Sequence, residues 1–136
     1  MIANPLVAVV NNNTGFLGLM DELLCDEGYQ TIIHHEGSTA YQMIRSKKPD
    51  LVIIDIRLQN PEAGWKILEL IRLQPETTHI PVIVCSSDAQ MLHEKEDWLQ
   101  KHRIEPLEKP FDLDDLLELV RRMVGPTVYE EPDTGV

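Results

Sequence analysis

Five short apolar runs, each followed by a polar stretch with helical spacing, organise most of the chain. The first, Leu6-Val7-Ala8-Val9-Val10, lies between Pro5 and three asparagines and predicts a buried strand. A helix follows, with Thr14 as its cap, Phe16, Leu19, Met20, Leu23 and Leu24 on its apolar face, and Gly28 closing it. Tyr29 to Ile33 predicts a second strand. Ser38 is then placed to cap a short helix carrying Ala40, Met43 and Ile44, which must stop before Pro49. Leu51-Val52-Ile53-Ile54-Asp55 is the third strand, and a loop with Pro61 and Gly64 leads to a helix with Trp65, Leu68 and Ile71 inward. Ile80 to Cys85 is the fourth strand. Asp88 caps one polar helix running to Lys101, with sparse apolar residues: Met91, Leu92, Trp98 and Leu99. Ile104 to Glu108 is the fifth strand, which Pro106 confines to an edge or a strand start. In the last helix Asp112 is the cap and Leu113, Leu116, Leu117, Val120 and Met123 form the apolar face. Arg121 and Arg122 complement its C-terminal dipole, and Gly125-Pro126 ends it.

Strand and helix alternate five times. That order predicts an α/β fold, a doubly wound five-stranded parallel sheet with helices on both faces. A domain over residues 1–125 accounts for the patterned part. Residues 126–136 form a tail with three acids and no base, expected to be loose.

Composition narrows the function classes. A formal net charge of -11 argues against binding to nucleic acid or to an anionic membrane. The one basic cluster, Arg45, Lys47 and Lys48, reads as a solvated helix end. Cys25 and Cys85 are far apart, without metal-type spacing, and read as reduced thiols. No apolar run is long enough to span a membrane and no secretion signal precedes the first strand, so a cytoplasmic location is expected. The histidines at 34, 35, 79, 93 and 102 show no ligand pattern.

The candidate chemistry lies at strand ends, where open α/β sheets place their sites. Asp55 ends the third strand, Ser86-Ser87 follow the fourth, and Lys109 follows the fifth, before Pro110-Phe111. An acid, a hydroxyl and a lysine along one sheet edge suggest a phosphoryl-accepting site. Each has a plainer reading: Asp55 as a turn residue, the serines as caps for the helix at Asp88, Lys109 as a surface lysine, the asparagines as a turn.

Together these residues make residues 5–124 resemble a response regulator receiver domain, the phospho-accepting module of two-component signalling, of flavodoxin-like (βα)5 shape. The resemblance implies Asp55 as phosphoacceptor, Ser86 as switch hydroxyl with Ser87 beside it, and Lys109 as the lysine that pairs with the acceptor or its phosphate. It implies a signalling role rather than an enzymatic one. A histidine kinase or phosphotransfer protein would be the upstream partner. A downstream protein would dock on the fourth helix, fifth strand and last helix, with a homodimer left open. With so little chain after the last helix, no output domain is expected.

Three positions depart from the family's pattern. The acidic pair after the first strand is replaced by Asn11 and Asn12. The loop after the acceptor is one residue longer, with Gln59, Pro61 and Gly64 at the fourth, sixth and ninth positions. Pro106 stands three before the lysine, where an aromatic is usual. The family's Mg²⁺ site would comprise Asn11, Asn12, Asp55 and the backbone carbonyl of Arg57. A hard cation prefers anionic oxygen, so two amides for two carboxylates predict weak Mg²⁺ binding and slow phosphorylation. Two other functions remain open. One is a receiver-like docking module that is never phosphorylated. The other is a flavin- or phosphate-binding protein with its phosphate in the loop from Asn11 to Gly15.

Overall fold

The computed structural model describes residues 4–56 and 61–125. Five parallel strands, β1 (Leu6–Val10), β2 (Gln30–His34), β3 (Leu51–Asp55), β4 (Val82–Ser86) and β5 (Ile104–Glu108), form one sheet in the order β2-β1-β3-β4-β5. The helices are α1 (Thr14–Asp26), α2 (Gly37–Lys47), α3 (Pro61–Leu73), α4 (Ala89–Glu94), α5 (Glu96–Lys101) and α6 (Leu113–Val124). The order reverses beside β1, so α1 and α6 cover one face and α2 to α5 the other.

Strict alternation along the strands makes two cores. Val7, Val9, Leu51, Ile53, Ile83 and Cys85 pack against Leu17, Met20 and Leu24 of α1 and against Leu116 and Val120 of α6. Ala8, Val10, Val52, Ile54, Val82 and Val84 pack against Ala40, Ile44, Leu68 and Ile71. Each fully buried Ile or Leu side chain stabilises by about 1.5–3 kcal/mol, which holds strands without alternating polarity in the sheet interior.

Several local expectations shift. Asn13, not Thr14, caps α1, its Oδ1 accepting the Phe16 N–H at 3.0 Å. Asparagine is an equally good cap and lies one residue nearer the strand. Gly28, at φ 94°, ends α1 in a Schellman turn: its N–H bonds to Cys25 O and that of Tyr29 to Leu24 O. The inward stripe of α1 is Leu17, Met20 and Leu24, and Leu19 stands 45% exposed. Phe16 and Leu23 pack partly buried at its margins, so the sequence stripe differs in including Leu19 and omitting Leu17. Ser38 lies inside α2, whose cap position is Glu36 with no side-chain hydrogen bond. Asp112 does hold the cap position of α6, also without a side-chain bond.

The single polar helix expected after β4 is two short ones. They meet at Lys95, whose φ and ψ of -96° and 7° leave the helical range while its N–H and C=O keep bonding to Met91 and Leu99. Trp98 is half-buried, edge-on to Trp65 at 5.5 Å and tilted against His102 at 4.5 Å, so it anchors α5 rather than standing free.

Pro106 occupies edge strand β5, opposite Val84. Lys109 N–H donates to Ser86 O at 2.8 Å, so the residues in phase with Lys109, namely Leu107 and Glu105, face β4. Pro106 is out of phase. Its missing N–H falls on the outer edge and costs the ladder nothing.

Candidate functional site

Asp55 is the last residue of β3, the central strand, and its side chain is 8% exposed. Opposite it in register is Cys85 on β4, and beyond β4 lies the end of β5. The Lys109-to-Ser86 backbone bond extends the β4–β5 ladder past the strand. From there the lysine side chain crosses β4, and its ammonium pairs with Oδ2 of Asp55. The peptide bond between Lys109 and Pro110 is cis.

On the other side of Asp55, Val10 delivers the asparagine triplet. Asn11 is buried, and its Nδ2 donates to Oδ2 of Asp55 at 3.3 Å. Its Oδ1 accepts the backbone N–H of Asn13 at 2.8 Å. That second bond fixes which end of the amide is which, because only oxygen can accept it. One carboxylate oxygen thus receives both an ammonium and an amide donor.

Asn11, Asn12, Asn13, Asp55, Ser87 and Lys109 line the polar part of an open cleft of about 590 Å³, and Phe16, Pro110, Phe111 and Leu113 its apolar wall. The two serines separate. Ser87 lines the cleft, whereas Ser86 is buried and its hydroxyl accepts the Asp88 N–H at 3.0 Å. Asp88 in turn caps α4, its Oδ1 accepting the Met91 N–H at 3.0 Å. Ser86 keeps its hydroxyl proton for donation. Arg57, whose carbonyl the resemblance assigns to a metal, lies outside the described residues, as do Gln59 and the tail over 126–136.

The charge environment reaches Cys85 beneath the pair. Burial pushes its thiol up to about 12; the Lys109 ammonium opposes this and the Asp55 carboxylate adds to it.

The roles of two supporting residues, Gly64 and Arg72, are not legible in the sequence. Gly64, on the first turn of α3, approaches Ile56 so closely that a Cβ would lie 2.2 Å from the Ile56 carbonyl oxygen. A lone glycine after a proline signalled only a loop. Arg72, buried on α3, donates to the carbonyls of Ile80 (2.7 Å), Thr78 and Arg103 (both 3.3 Å), and also to that of His102. It ties the far edge of the sheet together. Desolvation, and then the neighbouring Arg103, lower its pKa to about 10, so it stays charged at neutral pH. An arginine in a helix with apolar neighbours carries no sequence signal for such a staple.

The donor set fits a hard divalent cation poorly. Of Asn11, Asn12 and Asp55, the side chains that the resemblance assigns to a metal, two are amides, and the oxygen of Asn11 is engaged by Asn13. Among the described residues, no group of three or more His, Cys, Asp or Glu is placed to hold a metal ion. No helix among them is long and apolar enough to cross a membrane.

A doubly wound sheet with an acid–lysine pair at its C-terminal edge defines the class: an open α/β module whose site lies across the strand ends. Residues 7–121 match the response regulator receiver domain, and the chain belongs to that family. It is 24% identical over 119 residues to sporulation initiation phosphotransferase F of Bacillus subtilis, covering 88% of this chain and 93% of that protein. It is 29% identical over 120 residues to the polar-differentiation response regulator DivK of Brucella anthropi, covering 88% and 95%. Among solved structures, the Vibrio cholerae chemotaxis protein CheY4 superposes with a TM-score of 0.77 at 20% identity, covering 89% of this chain and 99% of that one. The receiver domain of a Pseudomonas aeruginosa sensor histidine kinase, with magnesium in its cleft, superposes at 0.75 with 21% identity, covering 90% and 99%. These likenesses confirm the five-stranded receiver fold.

Proposed function

We propose that this chain is an atypical receiver in a phosphorelay, with Asp55 as the phosphoacceptor and weak Mg²⁺ binding. The observation that carries the reading is the Lys109–Asp55 pair at the floor of an open cleft. Lys109 is placed to neutralise a phosphoryl group on Asp55, and Ser87 and Asn12 are at hand in the same cleft to donate to its oxygens. Ser86 reaches the same edge from below, tied to the α4 cap. The phosphoryl donor would be a histidine kinase or phosphotransfer protein, consistent with the relatives' names. The receiving protein would dock on α4, α5, β5 and α6. The domain itself would be a switch rather than an enzyme, and a cytoplasmic one.

Weak metal binding is supported by the asparagine pair and by the engagement of the Asn11 oxygen. The same observation favours a second reading, a docking module that works without phosphorylation, because Asp55 is already satisfied by Lys109 and Asn11. Incubation with acetyl phosphate and Mg²⁺, followed by intact-mass measurement of the native chain and of Asp55→Asn, separates the two. Phosphoryl incorporation lost in Asp55→Asn supports the receiver. No incorporation supports the docking module, and incorporation unaffected by Asp55→Asn contradicts Asp55 as the acceptor.

A further inference from the structure

The poor fit to a divalent cation has a constructive side. In a site built from carboxylates, a metal is needed to offset their repulsion and to meet the charge growing on a transferring phosphoryl group. Among the described residues, the only carboxylate lining the cleft is Asp55, and its Oδ2 receives the Lys109 ammonium and the Asn11 amide. The remaining polar lining among the described residues is the amides of Asn12 and Asn13 and the hydroxyl of Ser87, groups that can donate to a phosphoryl oxygen. Amides and an ammonium carried by the chain therefore occupy the electrostatic place of the metal.

We propose that Asp55 accepts a phosphoryl group without a divalent cation, with Asn11 as the positioning residue that takes over the cation's hold on the carboxylate. This rests on Asp55 being the phosphoacceptor. Asn11 and Lys109 hold Oδ2, and Oδ1 is the oxygen that attacks. With an acyl phosphate as donor, Oδ1 forms the new P–O bond as the bond from phosphorus to the acyl oxygen breaks. Acetate leaves with the electron pair, no proton moves and nothing is oxidised. Lys109 meets the charge on the phosphoryl oxygens from one side, and the Ser87 hydroxyl and Asn12 amide donate to them from the cleft wall. Asn11 does not touch the reacting phosphorus. Its contribution is to hold the carboxylate and to deny its own oxygen to a metal.

The test compares acetyl phosphate labelling of the full chain in EDTA with labelling in Mg²⁺, followed by intact mass over time. The Asn11→Asp/Asn12→Asp chain, and Asn12→Asp alone in case the buried change disturbs folding, are run in parallel. The proposal expects the native chain's rate to differ by less than about twofold between the two conditions. It expects the variants to gain a dependence on Mg²⁺ of about tenfold or more. Labelling of the native chain in Mg²⁺ but not in EDTA overturns the proposal and leaves Asp55 as phosphoacceptor intact. A native chain unlabelled in both overturns the phosphoacceptor reading and this proposal with it. Variants as indifferent to Mg²⁺ as the native chain would show that the asparagines are not what frees the site from metal, and would also overturn it.

Discussion

Asn11 turns a donor, not an acceptor, toward Asp55: its Nδ2 lies 3.3 Å from Oδ2, with the amide fixed in that sense by the Asn13 N–H on its other end. A carboxylate at position 11 would invert this contact, replacing an attraction with a like-charge pair in a buried place.

Asn11→Asp should therefore lower the stability of the metal-free domain by about 1–3 kcal/mol, the cost of exchanging a satisfied buried contact for an opposed one. Part of that loss should return on adding Mg²⁺, because a ligand that binds only the folded state stabilises it. Urea denaturation of the native chain and the variant, each with and without Mg²⁺, reads both effects. Native stability should barely respond to the metal.

Gly64 supplies a second expectation. Alanine has a helix propensity about 1 kcal/mol better than glycine. At this position its Cβ would meet the Ile56 carbonyl at 2.2 Å, and backbone cannot move aside as a side-chain end can. Gly64→Ala should be destabilising by about 1–3 kcal/mol despite the propensity gain, and should slow labelling of Asp55 one residue away from Ile56. Thermal melting and the acetyl phosphate assay check the two parts.

How much of this was legible beforehand follows from which interactions are local. The sheet, its order of elements and the strand-end chemistry could be read because apolar strands and helical periodicity are written within a few residues. The resemblance implies that Lys109 pairs with Asp55, and the structure joins them. The resemblance makes Asn11 a lost metal ligand, which is a statement about charge. That its amide is anchored by Asn13 and donates to Asp55 depends on backbone geometry that no spacing encodes. The separation of Ser86 from Ser87 is of the same kind, since adjacent residues leaving a strand diverge and only one can face the cleft. Arg72 was invisible because its partners are carbonyls, which every residue carries. The break at Lys95 has no proline or glycine to mark it.

The thiols give a third test. Cys25 is exposed, whereas Cys85 is buried with its thiol pushed up from its ordinary value of 9.0 to about 12. An aromatic disulfide reagent at mildly alkaline pH should titrate one thiol in the native chain and the second only on unfolding. The linkage has a definite sign. Between pH 9.0 and about 12 the unfolded thiol ionises while the native one does not, so the unfolded state binds fewer protons and stability falls as pH rises. Below pH 9.0 Cys85 contributes no slope. Cys85→Ala should flatten the alkaline decline, as followed by urea denaturation at a series of pH values.

The central claim is that the carboxylate of Asp55 takes the phosphoryl group. Borohydride reduction of the acetyl phosphate-treated chain tests it at the residue itself, because an acyl phosphate is reduced to an alcohol whereas a free carboxylate or a phosphate ester is not. Peptide mass mapping should find homoserine in place of Asp55, only after phosphodonor treatment and in no other acidic position. A labelled chain with Asp55 unreduced, or with the reduced residue elsewhere, would contradict the account.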